Sequence, residues 1–217
     1  MTRTYLSLIE EPAERGTLPP SADLTPARRA LFEAAITLFG DRGYGSVSVR
    51  DLATEVGLTS TALYAHVPTK EQLLFEIIQS GHVAQLAAVT EALLSSQPDP
   101  VAQLRGLTAA IVRFHLDWPA LSRVINRELR QLSEEHLDEI RQLRRDTQRP
   151  FLDVIERGGR LGVFDASTPR LSAQAVAALA LRTAEWINLD GLPTAEEIVD
   201  RYAELAVRML LVPGTTA

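Results

Sequence analysis

The chain has 217 residues, 46% of them hydrophobic, enough for one large or two small domains with a real core. It contains no cysteine, which excludes a disulfide framework and a thiolate metal site, and no apolar run approaches the length of a membrane span. The formal net charge of −6 argues against broad attraction to phosphates, so any nucleic-acid binding has to rest on a few well-placed cations.

Residues 1–23 show no lasting period and carry Pro12, Gly16, Pro19 and Pro20 among scattered charges, which predicts a flexible arm. Thr25-Pro26 then reads as an N-cap followed by proline at the first helical position. Leu31, Ala34, Ala35, Leu38 and Phe39 line one face of this helix, which ends near Arg42-Gly43. Tyr44 and Val47 are expected to pack beneath the next two helices.

Residues 47–74 organise the chain. Ser48 with Asp51 three residues on forms a capping-box variant, and Val49, Leu52, Ala53 and Val56 recur at helical spacing. Gly57 is the expected stop. Leu58 fills the turn, and Thr59 or Ser60 caps a second short helix with Ala62, Leu63 and Val67 inward. Ser60, Thr61, Tyr64, Ala65 and His66 are left for the outer face. Two short helices joined by a glycine-containing turn are the helix-turn-helix signature, whose second helix enters the DNA major groove. Pro68 then breaks the chain, Thr69 caps, and Gln72 is expected to complete a capping box. The cations here, Arg28, Arg29, Arg42, Arg50 and Lys70, are matched by Glu33, Asp41, Asp51, Glu55 and Glu71. Two copies acting together would supply what one neutral region lacks. In the N-terminal arm, Arg3 and Arg15 either reach a groove or belong to a tail of no consequence.

A long helix is expected from Thr69 towards Leu94, broken by Gln97-Pro98-Asp99-Pro100. The next runs from about Val101 to Asp117 with Leu104, Leu107, Ile111 and Phe114 inward. Pro119 starts a helix holding Leu121, Val124, Ile125 and Leu129. Another spans about Ser133 to Arg157 and is expected to end at Gly158-Gly159. Thr168-Pro169 begins an alanine-rich helix ending near Asn188 to Gly191. Pro193-Thr194 begins the last, where Ile198, Tyr202, Leu205 and Met209 form a stripe. No alternating strand is visible. The fold class is all-α with about nine helices, and the boundaries are an arm at 1–23, a helix-turn-helix domain at 24–70 and a second helical domain at 71–213.

Gly-Tyr before the first helix of the motif, Leu-Ala within it, Val-Gly-Leu-Thr at the turn, Ala-Leu-Tyr, and Pro-Thr-Lys-Glu-Gln-Leu-Leu resemble the DNA-binding domain of TetR-family transcriptional regulators over about residues 27–74. The resemblance implies a homodimer that inserts two recognition helices into successive major grooves of a near-palindromic operator. It implies DNA contacts from Arg50, Thr59, Ser60, Thr61, Tyr64, Ala65, His66 and Lys70, with Tyr64 and Lys70 at phosphate-holding positions. Arg50 either reaches a guanine edge or pairs with Asp51 or Glu55. Ala65 and Val67 depart from the commonest pattern, which leaves the operator sequence open.

The resemblance also implies that residues 71–213 bind an effector and dimerise. Ala175, Leu179, Trp186, Ile198, Tyr202, Leu205 and Met209 are the expected interface, the alternative being a stripe packed within one chain. The segments Arg123-Val-Ile-Asn-Arg-Glu-Leu and Gly159-Arg-Leu-Gly-Val-Phe164 look like TetR-family regulators of fatty-acid and sterol breakdown, which makes acyl-CoA thioesters the leading effector class and a non-thioester hydrophobic drug or metabolite the runner-up. Phe114, Trp118, Arg123, Arg127, Phe151, Ile155 and Trp186 are the candidate ligand residues. Arg141, Arg144, Arg145 and Arg149 either hold CoA phosphates or form a solvated face paired with Glu134, Glu135, Asp138 and Asp146.

Chemistry of other kinds finds no support in the spacing. His66, His82, His115 and His136 are too far apart for helical metal ligation, and no nucleophile elbow or Walker loop occurs. The reading is therefore a ligand-responsive repressor without cofactor, metal or catalytic residue. Its partners are double-stranded DNA, a small hydrophobic effector and a second copy. No membrane is involved, and the absence of a secretory signal suggests the cytoplasm. The alternative is an all-α enzyme, or a structural helical protein whose helix-turn-helix binds no DNA.

Overall fold

In a computed structural model of the chain, residues 17–19, 24–183 and 193–212 are described. They form nine α-helices: α1 (Pro26–Arg42), α2 (Val49–Glu55), α3 (Ser60–His66), α4 (Lys70–Ser95), α5 (Pro100–Asp117), α6 (Pro119–Arg127), α7 (Glu134–Arg160), α8 (Pro169–Leu181) and α9 (Ala195–Leu210). Short 3-10 turns occupy Tyr44–Ser46 and Leu129–Gln131. No strand occurs among the described residues, where Phe164 and Leu211 make only an isolated antiparallel bridge. The all-α expectation agrees with this architecture. Among the same residues no helix is long and apolar enough to cross a membrane.

The chain divides into two compact units. One contains residues 14–84 and 118–143, so the first part of α4, all of α6 and the start of α7 cluster with α1 to α3. Its core is built from the inward faces that local caps aim. Thr25 Oγ1 accepts from the Arg28 N–H and starts α1, which buries Leu31, Phe32, Ala35, Ile36, Leu38 and Phe39. Leu52, Leu63, Val67, Leu73, Leu74, Ile77 and Ile78 from α2 to α4 and Leu121, Val124 and Ile125 from α6 are also buried. Burying each such side chain contributes roughly 1.5–3 kcal/mol. Leu18 belongs to this core as well, at 2% exposure, so this part of the expected N-terminal arm is packed rather than free.

The second unit contains, among the described residues, 85–117, 144–183 and 193–212. Here α5 packs against α8 and α9. Leu104, Leu107, Ile111, Phe151, Val154, Ile155, Val176, Ala206 and Val207 share one core. Thr194 and Glu197 form a reciprocal capping box that starts α9.

Three local expectations are corrected. Gln72 does not complete a box with Thr69. The Thr69 hydroxyl accepts from the Gln72 N–H at 3.0 Å, but the Gln72 amide donates to Glu76 Oε1 at 3.0 Å. α6 ends at Arg127, leaving Leu129 half-buried in a 3-10 turn. α7 runs through Gly158 and Gly159 to Arg160, and the stop is Gly162, whose φ of 73° only glycine adopts without strain. A side chain at Gly158 would overlap the ring of Phe164, and one at Gly159 would overlap Ala166, so these glycines admit close packing instead. α8 closes at Leu181; its expected end near Asn188 to Gly191 lies outside the described residues.

Candidate nucleic-acid interface

The two helices of the motif are fixed by hydrogen bonds that the local sequence dictates. Ser48 Oγ accepts from the Asp51 N–H at 3.2 Å, while Asp51 Oδ2 accepts from the Ser48 N–H at 2.8 Å and its hydroxyl at 2.7 Å. The bond from the Ser48 hydroxyl, then that from its N–H, holds the Asp51 carboxyl below its ordinary pKa. At the other end of α2, Gly57 takes φ 68°. The Leu58 N–H then reaches the Ala53 carbonyl at 2.8 Å and the Gly57 N–H reaches that of Thr54 at 3.2 Å, which is a Schellman stop. Thr59 Oγ1 accepts from the Ala62 N–H at 3.2 Å and starts α3.

These bonds decide which way α3 faces. Leu63 and Val67 are buried, at 2% and 1% exposure, and anchor it. Thr61, Tyr64 and Ala65 stand exposed on the opposite side, with Tyr64 at 50%, and Ser60 and His66 are half-buried at its flanks. Arg50 and Thr59 are exposed nearby. Among the described residues Arg50 makes no ion pair with Asp51 or Glu55; Asp51 is engaged by Ser48 instead.

Two cations of this unit brace the motif. Arg28 of α1 donates to the His66 carbonyl at 3.2 Å and pairs with Glu76 of α4, placing positive charge at the C-terminal end of α3. Lys70 Nζ donates to the carbonyls of Val47 at 2.7 Å and Tyr44 at 3.0 Å, and lies 3.9 Å from the centroid of the Tyr44 ring. Burial lowers the Lys70 pKa, against the opposing pull of Glu128. Lys70 thus spends two of its three donors on the segment leading into α2. The Tyr44 ring is clamped further by Phe39, at 5.3 Å edge-on, and its N–H donates to Glu128 Oε1 at 3.2 Å.

A cluster that spacing alone does not reveal ties α4 to α7 within this unit. Glu71 accepts from the Ser133 N–H at 2.9 Å, and its Oε1 and Oε2 lie 2.9 and 3.1 Å from His136 Nδ1. The His136 ring stacks on Phe75 at 3.8 Å. Burial would raise the Glu71 pKa, but the bonds from His136 and Ser133 bring it below the ordinary value. Glu71 and His136 are too distant in sequence for any pattern to pair them.

The remaining candidates fall in different places. Phe114, Phe151 and Ile155 are buried in the second unit. Trp118, Arg123 and Arg127 belong to the first unit, where Arg123 pairs with Asp41 at 3.4 Å. Trp186 lies outside the described residues. Arg141 pairs with Asp138 at 2.7 Å and Glu134 at 3.5 Å, and Arg149 pairs with Asp153 at 2.9 Å, so these two belong to a solvated face. On α9 the buried stripe is Ile198, Val199, Ala203, Ala206, Val207 and Leu210, while Leu205 and Met209 are each 49% exposed and Tyr202 is half-buried. On α8, Ala173, Val176 and Ala180 face inward, Leu171 is 64% exposed, and Ala175 and Leu179 are half-buried.

Residues 31–77 match the family model described as bacterial regulatory proteins, tetR family, and residues 97–210 match the tetracyclin repressor-like C-terminal domain. The chain is 25% identical over 198 residues to the HTH-type transcriptional repressor KstR2 of Mycolicibacterium smegmatis, covering 88% of this chain and 94% of that one. It is similar to the crystal structure of a bacterial regulatory protein in the tetR family from Rhodococcus RHA1, with a TM-score of 0.81 and 34% identity over 86% of this chain and 98% of that one. It is also similar to AibR, solved in complex with isovaleryl coenzyme A and operator DNA, with a TM-score of 0.75 and 25% identity over 85% of this chain and 98% of that one.

Proposed function

The chain belongs to the TetR family of transcriptional regulators, not to an enzyme family, and from that premise we propose that it is a cytoplasmic repressor that binds a near-palindromic operator as a homodimer and is released by an acyl-CoA. The observation that carries the DNA-binding part is the outer face of α3. Thr61, Tyr64 and Ala65 stand free of the core while Leu63 and Val67 lock the helix from behind. Tyr64 and Lys70 would hold phosphates and set register. Thr61 and Arg50 would read base edges, and Ala65 would offer no more than contact to a thymine methyl. Ser60, Thr59 and His66 flank that contact.

The dimer is supported by the outward faces of α8 and α9. Leu171, Leu205 and Met209 are apolar and 64%, 49% and 49% exposed in a single chain, and Ala175, Leu179 and Tyr202 on the same helices are half-buried. A second copy covering these side chains would take them out of water. An acyl-CoA effector is supported by the likeness to AibR, which was solved with isovaleryl coenzyme A and operator DNA. Phe114, Phe151 and Ile155 would wall its acyl chain. An effector that prefers the dimer with misplaced recognition helices shifts the population off DNA, by linkage.

The test is fluorescence anisotropy on a duplex recovered from a random DNA pool. Binding should weaken steeply with salt, and octanoyl-CoA should release the duplex. Salt-independent binding, or no release by any acyl-CoA across chain lengths, would remove the corresponding half of the proposal.

A further inference from the structure

His115 of α5 has no exposed surface, and neither Nδ1 nor Nε2 has a hydrogen-bond partner. A neutral imidazole always carries one N–H and one bare nitrogen. Leaving both unmet in an apolar setting is unfavourable. Burial also lowers its pKa to about 4, so the ring is neutral near pH 7.

Arg144 of α7 is a second unmet group in the same unit. Arg141 and Arg149 turn outward to carboxylates, and Arg145 is engaged too, but no hydrogen bond or ion pair joins Arg144 to another described residue. Arg144 is only partly exposed, and burial lowers its pKa. Its place on the helix explains this. Ile140, Arg144, Thr147, Phe151 and Ile155 follow one another at helical spacing, and the other four are all buried.

Counted along their own helices, the two groups lie at comparable distances from a contact that joins α5 to α7. Arg157 near the end of α7 donates to Gln103 near the start of α5. Because α5 begins at Pro100 and α7 ends at Arg160, a shared core can extend only forward along α5 and back along α7. Leu104, Leu107 and Ile111 do share one core with Ile155, Val154 and Phe151. At about 1.5 Å per residue, His115 lies about 18 Å along α5 from Gln103, and Arg144 about 20 Å back along α7 from Arg157. Each continues the stripe that its helix buries in the common core.

We propose that His115 and Arg144 form the polar end of a buried effector site in this unit and hold an oxyanion of the ligand, with Ile111 and Phe151 against its apolar part. The proposal rests on the effector-responsive reading above and assigns a ligand chemistry to it. The guanidinium supplies charge and paired donors, and the imidazole supplies its single N–H. Carboxylate and phosphate share this chemistry, and the probes below separate them.

The full-length protein is titrated calorimetrically with octanoate, octanoyl-CoA, CoA and 1-octanol, as wild type, His115→Phe and Arg144→Met. At least one oxyanion-bearing probe binds wild type and loses tenfold or more in each variant. A response to octanoate assigns a carboxylate, and a response to CoA or its thioester assigns a phosphate. Binding unchanged in both variants overturns the proposal. So does 1-octanol binding as well as octanoate, or the failure of all three anions to bind wild type. A ligand-free readout guards against misfolding: His115→Phe is expected to melt no lower than wild type. A clear drop in Tm would mean that the imidazole is already bonded within the chain, and it removes the site. Operator release separates the two readings. Release of wild type and both variants alike by octanoyl-CoA keeps the effector reading and sinks this site, whereas no release of any form counts against the effector reading itself.

Discussion

Lys70 Nζ donates to the Tyr44 carbonyl at 3.0 Å while standing 3.9 Å above the ring of the same residue. With its second bond to the Val47 carbonyl, this ammonium fastens the start of α4 to the segment that delivers α2. A lysine that served only a phosphate would be expendable in the absence of DNA. Lys70→Ala should instead lower stability by about 1.5–3 kcal/mol, the usual range for hydrogen bonds to charged groups, and weaken operator binding alike on all sequences. Thermal melts without DNA check this. An unchanged Tm with weakened binding would return Lys70 to a pure phosphate role.

Gly158→Ala sets two effects against each other. Alanine in a helix interior is favoured over glycine by about 1 kcal/mol. The new methyl, however, would overlap the ring of Phe164, which is 2% exposed and part of the core of this unit. Overpacking of this kind costs about 1–3 kcal/mol, so the variant should be less stable than wild type by denaturant unfolding. A stabilised Gly158→Ala would show that Phe164 yields easily.

The apolar faces of α8 and α9 predict the assembly. Leu205→Glu with Met209→Glu should leave the fold intact, since both side chains are half exposed in one chain. By sedimentation the variant should run as a monomer, with operator affinity much reduced because each half-site contributes separately. A variant that stays dimeric places the interface elsewhere.

His115 predicts a pH dependence. Its folded-state pKa, about 4, lies below the ordinary 6.5 because burial disfavours the charged form. The unfolded chain therefore binds a proton that the folded one refuses between these values, and stability falls as pH drops from 6.5 towards 4. The full effect is roughly 3 kcal/mol. His115→Phe should flatten that part of the profile in urea unfolding at stepped pH. The same slope in wild type and variant would assign the effect to other groups.

What could be read from sequence was local. The caps at Thr25, Ser48 and Thr59, the Gly57 stop and the inward Leu52 and Leu63 depend on residues within a turn of one another, so spacing reveals them. What depends on distant partners was hidden. Gly158-Gly159 looked like a helix end because glycine ends helices, whereas their role is set by Phe164 and Ala166 across the turn at Gly162. Lys70 offered a phosphate contact on the motif alone, and its two carbonyl partners lie 26 and 23 residues away. Glu71 and His136, 65 residues apart, carry no signal in spacing. The stripe on α9 was visible as apolar, but periodicity cannot say that Ile198 turns inward while Leu205 and Met209 stay half exposed.

The account stands on α3 reading DNA. Selection of bound duplexes from a random pool tests this most directly, run with wild type and with Thr61→Ala and Tyr64→Ala. The account predicts a near-palindrome for wild type with half-site centres about one helical turn or slightly more apart. It predicts relaxed base preference for Thr61→Ala and lowered recovery without a changed motif for Tyr64→Ala. Failure of wild type to enrich any palindrome, or the same motif at the same yield from all three proteins, would contradict it.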